Sequence, residues 1–172
     1  MVLFCLNTGT RSKEIRFASV QDLDTDAWML DIIRVKGEVT YGQQRQVPIP
    51  PEIRPIVLDY LLSRKKWVVD NSADSQALFP SKYSEDGFLS SNSIRNIKAL
   101  VERDAEVRFD LRMCRRTFGQ RYLDKDLDIE SVSALMGHSS TETTEGFYSR
   151  KRLDHAIQNA MNTWEDEEEA MR

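Results

Sequence analysis

The sequence predicts an α+β fold that is mainly α with a small antiparallel β-sheet, and three observations support this class. Apolar residues recur at helical spacing along most of the chain. Two extended runs, one at 28–35 and one ending at 46–50, flank a turn signal at Lys36-Gly37. No apolar run approaches the roughly 20 residues that span a bilayer. The 172 residues are enough for one domain with a sizeable core.

The predicted helices have recognisable starts and stops. The turn Thr8-Gly9-Thr10 ends the first apolar run, and Pro51 suits a first helical turn. Asp128 is expected to cap a helix that ends at Gly137. The side chains expected to share one face of the helix after Pro51 are Ile53, Ile56, Val57, Tyr60 and Leu61. The helices are expected at 2–7, 12–15, 51–61, 91–102, 110–123, 128–137 and 153–164, with a long surface loop at 70–90.

The charge balance leaves a nucleic-acid partner open. The formal net charge is −4, whereas DNA-binding domains are often basic. The last eight residues, 165–172, carry a net charge of −4 themselves, so the preceding body is neutral and can still present a basic face. The two cysteines, Cys5 and Cys114, lack metal-ligand spacing and are expected to be reduced thiols of a cytoplasmic protein.

Several segments carry groups that suit phosphate chemistry. Arginine binds phosphate oxygens in a bidentate manner, and lysine is a compact cation that can also donate a proton. A phenol can attack phosphorus covalently if its neighbours stabilise the developing charge. The groups in question are Arg11, Lys36, the helical cluster Arg112, Arg115 and Arg116, and His138 followed by Tyr148.

Three sequence motifs contain most of these groups. TGTRSKEI resembles the TGxRxxE segment of tyrosine recombinases (phage-type integrases), which carries their first catalytic arginine. RRTFGQ resembles the segment after the second arginine, and LMGHSSTETTEGFY resembles the block that holds a histidine and the nucleophile. Each motif alone is weak, but together they occur in family order from residue 3 to about residue 152. The resemblance implies the catalytic-domain fold of tyrosine recombinases.

The resemblance also implies roles. Arg11 and Arg115 would contact the non-bridging oxygens of the scissile phosphate, and Lys36 would protonate the departing 5′ oxygen. His138, which lies at the usual distance of 23 positions from Arg115, would hydrogen-bond the phosphate or the nucleophile. Tyr148 would attack and form a 3′-phosphotyrosine. No cofactor and no metal would be needed, because the covalent bond conserves the energy of the phosphodiester.

Two positions depart from the family pattern. Arg112 stands where a histidine is usual, as in some archaeal and viral integrases, and it would add electrostatic stabilisation because arginine stays protonated. Phe147 stands where the tyrosine is usual, nine residues after His138, and Tyr148 follows one residue later. Either the loop accommodates a one-residue shift, which we favour, or the chain is inactive.

The resemblance implies an organisation and partners as well. Residues 1–152 are expected to form the catalytic domain, without the family's first helix and DNA-clamping domain. Residues 153–172 are expected to form a C-terminal helix and acidic tail, and this helix is expected to dock either on a neighbouring protomer or on the core of its own chain. The expected partners are double-stranded DNA and further copies in a tetramer on it, with no membrane and no small-molecule substrate. A nucleoid-associated enzyme of an archaeal virus or plasmid is expected.

Other interpretations remain open for the same residues. A type IB topoisomerase-like enzyme would use the same tyrosine and arginine chemistry. A non-catalytic DNA-binding remnant of an integrase would be consistent with Phe147 at the usual tyrosine position. Taken alone, Arg11 and Glu14 are typical of a surface turn with a local ion pair, which stabilises little.

Overall fold

The structure is a computed structural model, and it describes residues 1–35, 43–71, 73, 75–138, 141–142, 157, 161 and 163. The described helices lie around one hydrophobic core, with a three-stranded sheet at one side. The helices are α1 (Val2–Thr8), α2 (Ser12–Arg16), α3 (Arg54–Asp70), α4 (Ser91–Asp104), α5 (Leu111–Leu123) and α6 (Ile129–Met136), and the strands are β1 (Leu23–Asp24), β2 (Met29–Ile32) and β3 (Arg45–Pro48). The expected α+β class is confirmed.

The sheet is antiparallel, in the order β1-β2-β3. Leu30 pairs with Leu23 in β1 and with Val47 in β3, and Leu30 and Val47 are fully buried. Because side chains alternate along a strand, residue 45 lies on the same face of β3 as Val47. Register therefore directs the side chain of Arg45 toward the core side of the sheet.

Helices α1 and α5 pack closely, and a glycine makes this possible where α1 ends. Gly9 has a φ of 61°, in the left-handed region that favours glycine. A Cβ at Gly9 would lie 2.5 Å from Cδ1 of Phe118, which is fully buried on α5. The turn before Arg11 is thereby held against α5.

Helix α6 follows its sequence signals. Asp128 accepts a hydrogen bond from the backbone N–H of Ser131 at 2.7 Å, so it is the N-cap. Gly137 ends the helix with a φ of 65°, and the N–H of His138 donates to the carbonyl of Ser133 at 3.0 Å. This Schellman-type end fixes the direction in which the chain leaves α6, and so places His138.

Three expectations need correction. Strand β1 was not expected. The segment 70–90 is not only a surface loop, because Ala77, Leu78 and Phe79 are buried and the N–H of Leu78 donates to the carbonyl of Ala18 at 2.7 Å. Ile56 is 51% exposed, so it does not share the buried face of α3 with Val57. The expected turn at Lys36-Gly37 lies outside the described residues.

The tail is described at three positions only. Residues 157, 161 and 163 are helical, and the side chains of Ile157 and Met161 are about half exposed. Among the helices of the described residues, none combines the length and the apolar character that crossing a membrane requires.

Candidate active site

Arg11 occupies the N-cap of α2 and binds the same helix through its own side chain. Its backbone N–H donates to Oε2 of Glu14 at 2.7 Å, and its Nη1 donates to Oε1 at 2.7 Å. Its Nη2 donates to the carbonyl of Gly137 at 3.2 Å. The side chain is 26% exposed, so Arg11 is fixed in position and still reaches solvent.

Arg115 is the buried arginine of α5, and its residue is only 8% exposed. Its Nη1 donates to the carbonyl of Gly9 at 2.5 Å, and its Nη2 donates to the carbonyl of Met136. One guanidinium thus joins the turn before Arg11 to the end of α6.

Arg45 completes the arrangement from β3. Its Nε donates to the carbonyl of Leu135 at 2.7 Å, and its Nη2 donates to Oε2 of Glu14 at 2.9 Å. Its side chain is 7% exposed. The sequence interpretation missed Arg45, although a charged residue two positions before the core residue Val47 was a usable signal.

The three arginines therefore bind three consecutive carbonyls at the end of α6. The last carbonyls of a helix lack partners within it and carry the negative end of the helix dipole. Guanidinium groups satisfy these carbonyls and gain electrostatic stabilisation there. The pairs run in order, from Arg45 on Leu135 to Arg115 on Met136 and Arg11 on Gly137. We call this set the arginine cluster.

Glu14 is the counter-ion of the cluster. Its side chain is fully buried and binds both Arg11 and Arg45. Burial alone would raise the pKa of Glu14, but the hydrogen bonds and charges of Arg45 and Arg11 outweigh it and hold that pKa below its ordinary 4.5. Glu14 is thus an ionised buried carboxylate, so the alternative interpretation of Arg11 and Glu14 as a surface turn with a local ion pair does not hold.

His138 follows directly after the three carbonyls. Burial, and then the positive charges of Arg115, Arg11 and Arg45, lower the pKa of His138 from 6.5 to about 4. The imidazole is consequently neutral at pH 7, where it can both donate and accept a hydrogen bond. Three cations with one neutral donor at their edge form a site suited to a tetrahedral oxyanion such as phosphate.

The structure brings together only part of the expected set. Arg11, Arg115 and His138 meet at the end of α6, whereas Arg112 and its neighbour Arg116 are exposed on α5. Arg112 is not among the groups that shift the pKa of His138. The remaining expected residues, Lys36 and Tyr148, lie outside the described residues, as does Phe147. Within the described residues, no group of three His, Cys, Asp or Glu side chains could hold a metal ion.

Comparison with known proteins assigns the chain to a family. The pattern described as "Phage integrase family" matches residues 1–155. The chain belongs to the phage integrase family. Tyrosine recombinase XerA of Pyrococcus furiosus is 27% identical to this integrase over 164 residues, covering 93% of the chain and 53% of that protein. Tyrosine recombinase XerC of Listeria welshimeri is 27% identical over 150 residues, covering 86% of the chain and 47% of XerC.

Solved structures share the integrase's fold. The crystal structure of XerA recombinase superposes with a TM-score of 0.70 at 22% identity, covering 90% of this chain and 54% of that one. XerH site-specific recombinase bound to its difH substrate has a TM-score of 0.65 at 21% identity, covering 91% and 43%. The chain spans about half the length of the recombinases that it matches. The relatives come from Pyrococcus and Listeria alike, so the resemblance extends beyond archaeal and viral members of the family.

Proposed function

We propose that this integrase is the catalytic domain of a site-specific tyrosine recombinase, which cuts and rejoins DNA strands. The observation that carries the proposal is the arginine cluster on three consecutive carbonyls, with neutral His138 beside it. Preorganised donors of this kind stabilise the charge that develops on a phosphate during transfer. Double-stranded DNA is the proposed substrate, in keeping with the XerH relative, which is bound to its own DNA substrate.

The proposed step is a transesterification at one scissile phosphate. Arg11 and Arg115 hold the non-bridging oxygens, and His138 hydrogen-bonds the phosphate or the nucleophile. The Tyr148 oxygen forms a bond to phosphorus and gives its proton to solvent water, while the bond to the 5′ oxygen breaks and that oxygen takes a proton from Lys36. Rejoining is the reverse attack by a 5′ hydroxyl. Arg112 contributes positive charge from the exposed side of α5.

Assembly is part of the proposal. Four copies act together on DNA, and residues 153–172 form the segment that docks on a neighbouring copy. The half-exposed apolar side chains of Ile157 and Met161 support this role for the segment, because such side chains gain stability by helix-in-groove docking. A nucleoid-associated enzyme of a mobile element, an archaeal virus or plasmid, fits these partners.

The test is a covalent adduct. The full chain is incubated with a nicked suicide substrate carrying the presumed attachment site, or with supercoiled plasmid, and a detergent-resistant protein–DNA adduct is sought on a denaturing gel. We expect Tyr148→Phe and Arg115→Ala to abolish the adduct, and the exposed neighbour Arg116→Ala to keep it. The swap of Phe147→Tyr with Tyr148→Phe tests the one-residue shift, since restored adduct would show that position 147 can deliver the phenol.

Each alternative interpretation has its own outcome. Relaxation of supercoiled DNA without sequence preference would favour a topoisomerase-like enzyme. Phe147 at the usual tyrosine position is the observation that favours a non-catalytic remnant. DNA binding without any adduct, next to an active recombinase as positive control, would favour that remnant and overturn the proposal.

A further inference from the structure

A second cationic region includes residues of α2 and its C-cap, Phe17. It is a shallow groove of about 450 Å³ between α2, the residues after β2 and the loop before α4. It shares α2 with the candidate active site, because Lys13 lies two residues after Arg11. The side chains that line this groove are Lys13, Phe17, Arg34, Val35, Asp86 and Phe88.

Two phenyl rings form the floor of the groove. The centroids of Phe17 and Phe88 are 5.6 Å apart, with their planes tilted by 60°. The guanidinium of Arg34 lies 5.3 Å from the Phe88 centroid, and that of Arg16 lies 4.4 Å from the Phe17 centroid. Because the two planes are tilted, a nucleobase can stack on one ring at a time, and the guanidinium groups beside the rings add positive charge.

The groove is held in shape by contacts to backbone carbonyls. Nη1 of Arg34 donates to the carbonyl of Phe17 at 2.6 Å, and Nε of Arg16 donates to the carbonyl of Leu89. The loop that carries Phe88 is fixed too, since the backbone N–H of Phe88 donates to Oδ1 of Asp86 at 3.0 Å. Both rings are therefore held in place relative to α2, the helix whose N-cap is Arg11.

The charges of the groove select a nucleotide over an apolar ligand. Lys13 and Arg34 are exposed cations at the rim, and they suit a phosphate. Asp86 is the carboxylate among the lining residues, where a phosphate would be repelled. A carboxylate accepts hydrogen bonds from the exocyclic amine of a base, so Asp86 suits the base edge instead.

We propose that this groove binds one unpaired nucleotide of the DNA strand beside the scissile phosphate. Its base stacks on the ring of Phe88 with Phe17 at the edge of the base, its amine donates to Asp86, and its phosphate contacts Lys13 and Arg34. Bases inside a duplex have both faces covered, so the groove takes the nucleotide only when a nick or strand exchange frees it. The inference rests on the proposed function, in which cleavage releases such a 5′ strand.

The experiment uses the full chain and a nicked duplex whose 5′ nucleotide at the nick is an unpaired 2-aminopurine, which loses fluorescence on stacking. Unaltered protein is expected to quench it, and Phe88→Leu to lose the quench and bind about tenfold more weakly. Phe88→Tyr keeps the ring and the quench. Tyr83→Leu is the matched control, because Tyr83 lies in the same loop, 87% exposed and outside the groove lining.

Salt dependence tests the cations without disturbing the rings. Lys13→Ala is expected to lower the slope of log affinity against log salt by about 1, which is the loss of one phosphate contact. Lys82→Ala, in the same loop as Tyr83, is expected to leave the slope unchanged. The proposal would be overturned if the groove variants and the control variants had equal effects in both assays. A Phe88→Leu variant that quenches like the unaltered protein would overturn it as well.

The adduct assay separates this inference from the proposed function. A protein that forms the adduct but shows no Phe88-dependent quench has recombinase chemistry without the groove's role. A protein that forms no adduct but still quenches through Phe88 keeps the nucleotide site and loses the proposed chemistry.

Discussion

Helix α2 contributes residues to two cationic regions that are built in opposite ways. In the candidate active site, Arg11 and Arg45 bind the fully buried carboxylate of Glu14 and the end of α6. In the groove, Arg34 is exposed and lies over an aromatic ring. The nearby carboxylate there, Asp86, is exposed as well. Buried cations fixed by carbonyls suit a reacting phosphate, which needs preorganised donors, whereas exposed ones suit a ligand that enters and leaves.

The largest expected difference in stability is between substitutions of the two carboxylates, Glu14 and Asp86. Glu14→Gln removes the counter-ion of two arginines, one of them almost fully buried, and is expected to lower the free energy of unfolding by about 3 kcal/mol. Asp86→Asn changes a solvated carboxylate and is expected to leave the urea midpoint almost unchanged. Urea denaturation followed by circular dichroism measures both. Equal midpoints for the two variants would show that Glu14 is not a structural counter-ion.

Two of the glycines with positive φ, Gly137 and Gly87, give the next contrast. Gly137→Ala strains a residue at φ 65° and sets a Cβ 2.6 Å from Nη1 of Arg45. Gly87→Ala strains a similar φ of 71°, but its Cβ meets the Oγ of Ser75, at 2.7 Å. Both are expected to lose about 1–2 kcal/mol of stability from the backbone.

Only one of these variants should affect the proposed chemistry. Gly137→Ala is expected to reduce adduct formation as well, because Arg45 must shift away from Leu135 and Glu14. Gly87→Ala is the control for the backbone cost. Adduct yields that fall equally in both variants would mean that stability alone, and not the position of Arg45, limits the reaction.

The difference between local signals and contacts across the fold explains what the sequence could predict. The ends of α6 follow from Asp128 and Gly137 because a cap and a left-handed stop act within a few residues. The motif residues Arg11, Arg115 and His138 were selected by spacing, but their meeting on adjacent carbonyls depends on how α2, α5 and α6 pack. The roles given to them stay predictions.

Arg45 and β1 are two features that depend on contacts beyond a local stretch of sequence. Arg45 belongs to the cluster only because the register of β3 places it beside Glu14, which lies 31 residues earlier. Strand β1 has two residues, too few for an alternation pattern, and it exists because Leu23 pairs with Leu30. Both depend on contacts between distant segments: alternation along β3 can predict that Arg45 faces the core side, but not that it lies beside Glu14.

A further expected effect is a dependence of stability on pH, and it reports on the burial and the charge around His138. The unfolded state takes up a proton as the pH falls through 6.5, whereas the folded state stays neutral until about 4. The unfolded state therefore binds more protons in this window, and the free energy of unfolding falls as the pH decreases from 6.5 to 4. Above 6.5 the residue contributes no slope.

Glu14 affects stability in a different pH range from His138, so the two contributions to the pH dependence can be distinguished. Its depressed pKa contributes stability that is lost only as the pH falls below 4.5, so the range between 4.5 and 6.5 isolates His138 from Glu14. Urea unfolding across that range should show a slope that His138→Gln reduces and that His155→Gln, which changes the second histidine of the chain, leaves in place. An unchanged slope in His138→Gln would mean that Arg11, Arg45 and Arg115 do not act on the imidazole. In that case the arginine cluster would not be the electrostatic unit that the phosphate chemistry requires.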